Sequence, residues 1–227
     1  ENAPALYIVA DGMGGHQGGE VASRIAVTEV SNYINSRILK DLLIDKGEIK
    51  KILRSSLDFA NGKIHELSLS NDNWSGMGTT ITLAFFLEDH LYIGHVGDSR
   101  AYRIRENKIE QLTKDHSLVR QLLDEGRITE AEAKNHPMKN VITKALGTDK
   151  FIEPDILDFE VKAKDIFILC SDGLTNMVND EYIKDIACSY SPEEATERLI
   201  EEANLRGGDD NITVAIIKVK KVGLGRP

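Results

Sequence analysis

Apolar residues along this chain fall into short runs typical of strands, separated by longer stretches with helical periodicity. The run LYIVA (6–10) is almost continuously apolar and ends at an Asp-Gly pair, which predicts a buried strand that stops at a turn. Further strands are predicted at DIFILCSDG (165–173), which also ends in Asp-Gly, and at NITVAIIKV (211–219). The segment 78–111, interrupted by polar turns, predicts a meander of three or four antiparallel strands.

Apolar positions at helical spacing predict two long helices after the first strand. They recur through residues 20–34 and again through residues 48–69. Towards the end of the chain, helices are predicted over 180–189 and 192–204, the second with Ser191 as its N-cap and a proline in its first turn. Because strands and helices come in blocks rather than in strict alternation, we expect an α+β fold with mostly antiparallel sheets.

The composition limits the classes of function. The 227 residues contain no proline- or serine-rich linker, which predicts a single domain over 1–227. A formal net charge of −9 predicts neither nucleic acid nor an anionic membrane as a partner. Cys170 and Cys188 form no CxxC pair, which indicates a reducing compartment. No uncharged apolar stretch approaches the ~20 residues of a membrane span, and the start of the chain lacks signal-peptide features, so we expect a cytoplasmic protein.

Four aspartates stand beside predicted strands, namely Asp11, Asp98, Asp172 and Asp210. A single Asp-Gly pair is most often only a turn. Carboxylates gathered at one end of a sheet, however, repel one another unless protons or cations neutralise them. Because carboxylates are hard oxygen ligands, such a cluster suits Mg²⁺ or Mn²⁺. Gly12 adds a backbone carbonyl that no side chain shields, which is a further potential ligand.

The glycine-rich stretch around Gly12 does not match the known nucleotide loops. A phosphate-binding P-loop requires a Lys-Ser/Thr pair after its last glycine, but Glu20 and Val21 follow here. A dinucleotide fingerprint that begins at Gly12 requires a glycine at position 17, which is Gln17. The loop is therefore assigned to the predicted metal site.

Seven motifs stand in an order and spacing that extend over almost the whole chain. They are VADGMGGHQGGEVAS (9–23), GTT (78–80), GHVGDSRAY (94–102), LTKDHS (112–117), ITKALG (142–147), LCSDGL (169–174) and GGDDNITV (207–214). From Leu6 to Val219 the chain resembles the metal-dependent protein phosphatases, the type 2C or PPM serine/threonine phosphatases, and above all their compact bacterial branch. The resemblance implies a central antiparallel β-sandwich flanked by pairs of helices, a four-layer α-β-β-α fold with the metals in a cleft at one end.

The resemblance also implies roles for the aspartates. Asp11 matches the carboxylate that bridges two metal ions, and Gly12 matches the residue that lends its carbonyl to one of them. Asp172 and Asp210 match the remaining carboxylates on the second ion, so that Asp11, Asp172 and Asp210 form the catalytic set. Asp98 matches the ligand of a third, weaker metal that Asp172 shares. Two to three Mn²⁺ or Mg²⁺ ions are implied, and a hydroxide that bridges two of them would hydrolyse phosphoserine or phosphothreonine.

The chain departs from the family pattern in two places. The histidine that follows Asp-Gly in eukaryotic members is Met13 here, which leaves the general acid unassigned, with a metal-bound water as one candidate. The first strand of the family, which carries a phosphate-binding arginine, is apparently absent because the chain starts after it. The substrate contacts that we predict are His16 beside the metal loop, together with His116 and Arg120; His136 is a further candidate.

Residues 113–147 match a segment that forms a flap beside the active site in the family. Here we expect a short helix through Leu118 and Leu123, a glycine stop at Gly126, and a second helix with a capping box of Thr129 and Glu132. The resemblance implies a phosphatase that opposes a bacterial serine/threonine kinase, and we expect a monomer. A catalytically silent regulatory module remains an alternative, and a metal-dependent nuclease or small-phosphoester hydrolase is disfavoured by the negative charge and the motif order.

Overall fold

The structure is a computed structural model that describes residues 4–14, 16–38 and 45–222. The strands described are β1 (Ala5–Val9), β2 (Gly12–Met13), β3 (Gly78–Thr79), β4 (Ile81–Leu87), β5 (His90–Val96), β6 (Arg100–Arg105), β7 (Lys108–Gln111), β8 (Asp155–Glu160), β9 (Ile166–Cys170) and β10 (Val214–Lys218). The helices described are α1 (His16–Ile38), α2 (Lys46–Ser70), α3 (Leu118–Asp124), α4 (Glu130–Lys134), α5 (Asp172–Thr175), α6 (Asp180–Ser189) and α7 (Pro192–Leu205), with a short 3-10 helix at Asp72–Trp74. None of these helices combines the length and the apolar character that crossing a membrane requires.

Two antiparallel sheets of four strands each form the centre of the molecule. Their strand orders are β1-β4-β5-β8 and β10-β9-β6-β7. Helices α1 and α2 pack on the outer face of the first sheet, and α5, α6 and α7 pack on the outer face of the second. A third apolar layer lies between the sheets. These layers confirm the predicted α+β fold of four layers, α-β-β-α.

Strand β9 shows why the central strands read as continuous apolar runs. Ile166, Ile168 and Cys170 face helices α6 and α7, whereas Phe167 and Leu169 alternate with them and face the other sheet. Successive side chains of a strand point to opposite faces, so a strand in the middle of four layers buries both sets. The same arrangement applies to β4, and it accounts for the near absence of charged residues from both strands.

The predicted helices are present, with some ends shifted. Helix α1 begins at His16 rather than at residue 20, because Gly18 and Gly19 belong to its first turns instead of to the preceding loop. Glycine is needed at position 19, because a Cβ there would lie 2.7 Å from the backbone of Gly12, whereas a Cβ on Gly18 would lie 3.1 Å from Met77 Cβ and make only a tight contact. The Ser191 cap of α7 is confirmed, since its side chain accepts a hydrogen bond from the Glu194 N–H.

The strand prediction needs three corrections. The expected strands within 78–111 are present, but they are not one meander: β4 and β5 belong to the first sheet, whereas β6 and β7 belong to the second. The chain crosses between the sheets at Gly97, whose φ of +110° produces the turn. Strand β8 was not predicted, and the strand over 165–173 ends at Cys170, after which Asp172 starts the short helix α5.

Candidate active site

The four predicted aspartates come from different connections of the sandwich. Asp11 follows β1, Asp98 lies between β5 and β6, Asp172 follows β9, and Asp210 precedes β10. Burial, and then the charges of Asp172 and Asp210, raise the pKa of Asp11 to about 7. Burial, and then the charges of Asp172, Asp115 and Asp11, raise the pKa of Asp98 to about 7. The charges of Asp172 and Asp210 act on Asp11, and those of Asp172 and Asp11 act on Asp98, so the four carboxylates lie at the same end of the sandwich.

The GTT motif holds Asp11 in place through its backbone. The Asp11 N–H donates to Thr80 Oγ1 at 3.1 Å, and the Asp11 carbonyl accepts from the Thr80 N–H at 2.8 Å and from Thr79 Oγ1 at 2.9 Å. Both threonines are fully buried. Their hydroxyls therefore satisfy backbone groups that have no helix or sheet partner, and the Asp11 carboxylate is left free for the site.

Thr80 also supports the turn that carries Asp98. Its hydroxyl bonds to Ser99 Oγ at 2.7 Å, and Thr82 Oγ1 donates to the Ser99 carbonyl at 2.9 Å. Gly97 packs on the same threonine, since a Cβ at this position would lie 2.6 Å from Thr80 Cβ. One buried threonine thus fixes both Asp11 and the neighbourhood of Asp98.

The loops of Asp172 and Asp210 are fastened to each other. Ser171 Oγ accepts from the Thr213 N–H at 3.0 Å and lies 3.2 Å from the Asn211 carbonyl. A Cβ on Gly173 would lie 2.3 Å from that same carbonyl, so glycine is required for this approach. Asn176 Nδ2 donates to Asp172 Oδ2 at 3.0 Å and orients the carboxylate. The backbone of Asn211 thus positions the strand entry.

The aspartate carboxylates and the Gly12 carbonyl are suitable ligands for a divalent cation, although the side chains do not converge on a single point. Among the residues described, no group of three or more His, Cys, Asp or Glu side chains is arranged closely enough to enclose an ion. Burial, and then the charges of Asp172 and Asp210, raise the pKa of Asp11. Buried carboxylates that repel one another are groups that a hard cation neutralises.

A cleft of about 860 Å³ opens beside the aspartates. Asp98 and Asp172 lie in its wall, and so does Arg120 of the segment 113–147, which we call the flap segment. Lys134 and Lys139 of the flap segment also line the cleft. The structure therefore places the predicted contact Arg120 on the cleft, where its side chain is 42% exposed and forms an ion pair with Asp124 at 3.1 Å.

The local structure predicted for the flap segment is confirmed. Helix α3 begins after Ser117, whose side chain accepts from the Arg120 N–H. Gly126 follows its end with a φ of +66°, and the capping box of Thr129 and Glu132 starts α4 with both reciprocal hydrogen bonds present. The sequence signals for these two helix starts and for the glycine stop each lie within a single helical turn.

The predicted histidine contacts are not supported in the same way. Helix α1 begins at His16, whose side chain lies outside the part of the structure that is described. For His116, Nδ1 accepts from the Gly97 N–H at 3.1 Å and Nε2 lies 3.3 Å from Asp155 Oδ2, so both ring nitrogens are engaged inside the protein. His136 Nδ1 accepts from the Met138 N–H at 3.2 Å. A substrate contact by His116 would require breaking its bonds.

Arg100 and Asp115, which belong to two of the quoted motifs, form a salt bridge that the sequence did not reveal. Arg100 Nε donates to Asp115 Oδ1 at 3.0 Å and its Nη2 donates to Asp115 Oδ2 at 2.7 Å, while Nη1 donates to Tyr102 Oη at 3.0 Å. Burial opposes the charge of Arg100, but Tyr102 and Asp115 hold its pKa above the ordinary value. Both residues of the pair line the cleft. The only sequence signal for this salt bridge was the position of Arg100 directly after Gly-Asp-Ser and of Asp115 directly before His-Ser.

Comparison with known proteins agrees with this architecture. The family model described as Protein phosphatase 2C matches residues 1–212. The chain is 40% identical over 227 residues to the serine/threonine phosphatase stp of Listeria welshimeri, covering 100% of this chain and 88% of that protein. The S. agalactiae serine/threonine phosphatase structure matches with a TM-score of 0.88 and 38% identity, over 97% of this chain and 89% of that chain.

A further solved structure bears on the metals. It is the catalytic domain of the serine threonine protein phosphatase PstP in complex with two manganese ions, with a TM-score of 0.82 and 35% identity over 97% of this chain and 93% of that chain. A four-layer sandwich with aspartates gathered at one end defines a metal-dependent phosphatase. The chain belongs to the protein phosphatase 2C family, and the predicted class, an Mn²⁺- or Mg²⁺-dependent serine/threonine protein phosphatase, is confirmed. The silent-module alternative is not favoured.

Proposed function

We propose that Asp11, Gly12, Asp98, Asp172 and Asp210 hold the two to three Mn²⁺ or Mg²⁺ ions with which this chain hydrolyses phosphoserine and phosphothreonine in proteins. The observation that carries the proposal is that burial, and then the charges of neighbouring carboxylates from separate connections of the sandwich, raise the pKa values of Asp11 and Asp98 to about 7. Such a repulsive cluster lowers stability and is typical of functional sites. Asp11, Asp172 and Asp210 are the proposed catalytic set.

The residues around the site have separable tasks in this proposal. When bound, two such ions lower the pKa of water and neutralise the charge of a phosphoryl group. Thr79 and Thr80 hold the Asp11 backbone, so that its carboxylate keeps its place. Asn176 orients Asp172 through a 3.0 Å hydrogen bond. Arg120 on the cleft wall supplies N–H groups to an anionic substrate that enters beside Asp172.

We propose that the single domain spans 1–227 and that the flap segment selects substrates. The cleft supports this, because its walls come from the flap segment on one side and from 172–181 on the other. On the flap side of the cleft, Arg120, Lys134 and Lys139 stand against Asp115 and Glu130, which leaves a small excess of positive charge for a phosphopeptide. His16 lies at the start of α1, next to the Asp11 loop, and stays a proposed contact.

The proposed partners are phosphoproteins made by a serine/threonine kinase, since a phosphatase of this specificity needs an enzyme that supplies its substrates. We propose that the protein acts as a cytoplasmic monomer. The net charge of −9 supports protein substrates over nucleic acid or anionic membranes.

A pair of neighbouring carboxylates allows a controlled test. Asp209 and Asp210 are adjacent and both exposed, so replacing either by alanine removes the same charge from the same loop. We expect Asp210→Ala to reduce Mn²⁺-stimulated hydrolysis of a phosphothreonine peptide at least a hundredfold, and Asp209→Ala to change it less than twofold. Asp172→Ala and EDTA treatment should abolish turnover. The proposal fails if Asp210→Ala retains full activity, or if both variants lose activity equally while circular dichroism shows them folded.

A further inference from the structure

We propose that His116 is a positioning residue that fastens the base of the flap segment to the turn carrying Asp98, and so holds the Asp98 carboxylate in place. Sequence reasoning expected His116 to touch substrate, whereas the structure turns its ring inward. The inference rests on the proposed function, because it concerns the proposed ligand of a third ion. It goes beyond that function by assigning a separate task to a residue outside the ligand set.

His116 and Gly97 are joined by two hydrogen bonds. The His116 N–H donates to the Gly97 carbonyl at 2.7 Å, and the Gly97 N–H donates to His116 Nδ1 at 3.1 Å. Both backbone groups of the residue before Asp98 therefore end on one histidine. Gly97 has a φ of +110° and packs closely on Thr80. Because it is a glycine, it has no side chain that contributes further contacts. His116 is consequently the main restraint on this side of the turn.

The contacts of the His116 ring define its tautomer. Nδ1 accepts a hydrogen bond, so the proton of the neutral ring lies on Nε2, which faces Asp155 Oδ2 at 3.3 Å. Burial holds the pKa of His116 below its ordinary value and keeps the ring neutral. The buried ring of His95 lies alongside, with ring centroids 5.0 Å apart, and its Nε2 is 3.1 Å from the Lys114 carbonyl. The ring is thus held from three sides.

The same histidine closes the base of the flap segment. The Thr143 N–H donates to the His116 carbonyl at 2.8 Å, and a bridge between Ser117 and Ile142 continues the closure. At the other end, Leu146 and Thr79 exchange two backbone hydrogen bonds, of 2.8 and 3.0 Å. The flap segment is therefore attached at one end to the Asp98 turn and at the other to the residue that supports Asp11. His116 makes the first attachment with its side chain.

Replacing His116 by asparagine or by glutamine, whose side-chain amides differ in length, tests the two contacts of the ring one at a time. In His116→Asn, the side-chain carbonyl takes the place of Nδ1 and still accepts from Gly97, whereas the bond to Asp155 is lost. In His116→Gln, the amide reaches towards Asp155 and leaves the buried Gly97 N–H without its acceptor. The variants should both fold, since each preserves one polar contact. Only the loss of the Gly97 contact should disturb Asp98.

The experiment titrates Mn²⁺ by calorimetry and follows backbone hydrogen exchange at Gly97 in the full chain. We expect His116→Gln to weaken the weakest Mn²⁺ site roughly tenfold and to speed Gly97 exchange by a similar factor, the effect of one lost buried hydrogen bond. His116→Asn should stay within about twofold of the parent in both, and the tighter sites should be unchanged in either variant. Equal behaviour of the two variants overturns the inference.

Asp98→Ala separates this inference from the proposed function. If Asp98→Ala leaves the Mn²⁺ isotherm unchanged, the proposed role of Asp98 fails, and the inference fails with it. If Asp98→Ala removes the weakest site and His116→Gln does not alter it, only the positioning role is overturned. Should His116→Gln not fold, His116→Ala and Asp155→Ala give the same comparison, because only the first of these removes the acceptor of the Gly97 N–H. A weakest site that is equally affected in the two folded variants overturns the inference.

Discussion

Gly12→Ala isolates the contact between the metal loop and helix α1. A Cβ at this position would lie 2.0 Å from the Gly19 carbonyl oxygen, 2.3 Å from its carbonyl carbon and 2.7 Å from its Cα. All three atoms are backbone, so no side-chain rotation relieves the clash. Gly12 does not have a positive φ, so the effect of alanine comes from this contact and not from an unfavourable backbone conformation.

The size of the effect follows from these distances. Ordinary contact begins near 3.4 Å, so the two segments must part by about 1.4 Å. That movement exceeds what the 2.8 Å bond between the Thr80 N–H and the Asp11 carbonyl tolerates, unless α1 moves instead. Overpacking of a tight interior costs about 1–3 kcal/mol, and we expect the upper end because both partners are backbone. At about 2–4 °C per kcal/mol for a domain of this size, the melting temperature should fall by about 6–12 °C.

Gly62→Ala is the matched control, because this glycine lies inside α2 with no heavy atom within 4 Å of an added Cβ. There alanine should raise the free energy of unfolding by about 1 kcal/mol through helix propensity. Differential scanning calorimetry of both variants, with Mn²⁺ titration of the folded proteins, tests the pair. A Gly12→Ala variant that melts with the parent and binds Mn²⁺ normally would refute the packing described for this loop.

Two further substitutions test the scaffold. Thr80→Val removes the hydroxyl that serves the Asp11 N–H and Ser99 Oγ, and should lower the free energy of unfolding by about 1–3 kcal/mol; an unchanged urea midpoint contradicts this. Asp165 is 1% exposed and accepts two hydrogen bonds from Arg105, which, against the opposing effect of burial, hold its pKa below the ordinary value of 3.8. Asp165→Asn should therefore cost about 1.5–3 kcal/mol at neutral pH. The difference should shrink as the pH falls below 3.8 through the folded pKa; a pH-independent difference contradicts the assignment.

Helix ends were predictable because their determinants lie within one turn. The caps Ser191 and Thr129 accept hydrogen bonds from residues three positions further on, so a short window of sequence contains the whole signal. Strand β8 has no such local signal. Its sequence DILDFE has only intermediate and exposed positions at a sheet edge, and its pairing with β5 joins residues 60–70 positions apart. Whether such a segment forms a strand is determined by its long-range pairing.

The same distinction applies to the site. The aspartates were predictable because each stands beside a strand end, which is a local pattern. The support for Asp11 comes from Thr80, 69 positions away, and only the folded sheets bring the two together. The task of His116 depends on Gly97, 19 positions back, and on Asp155, 39 positions ahead, so a histidine in a flap motif was interpreted as a substrate contact.

The way the aspartates are held explains how the fold tolerates their repulsion. Thr80 binds the main-chain N–H and carbonyl of Asp11. Ser171 likewise binds main-chain groups of Asn211 and Thr213 in the loop of Asp210. The scaffold therefore holds Asp11 through its backbone, whereas one oxygen of Asp172 accepts a hydrogen bond from Asn176 and one oxygen of Asp210 accepts from the Asn211 N–H. The stability that Asp11 contributes when protonated is lost as the pH rises from about 4 to about 7, so at neutral pH the cluster opposes folding. Because the repulsion acts on backbone that buried hydroxyls hold, we expect bound cations rather than unfolding to relieve it.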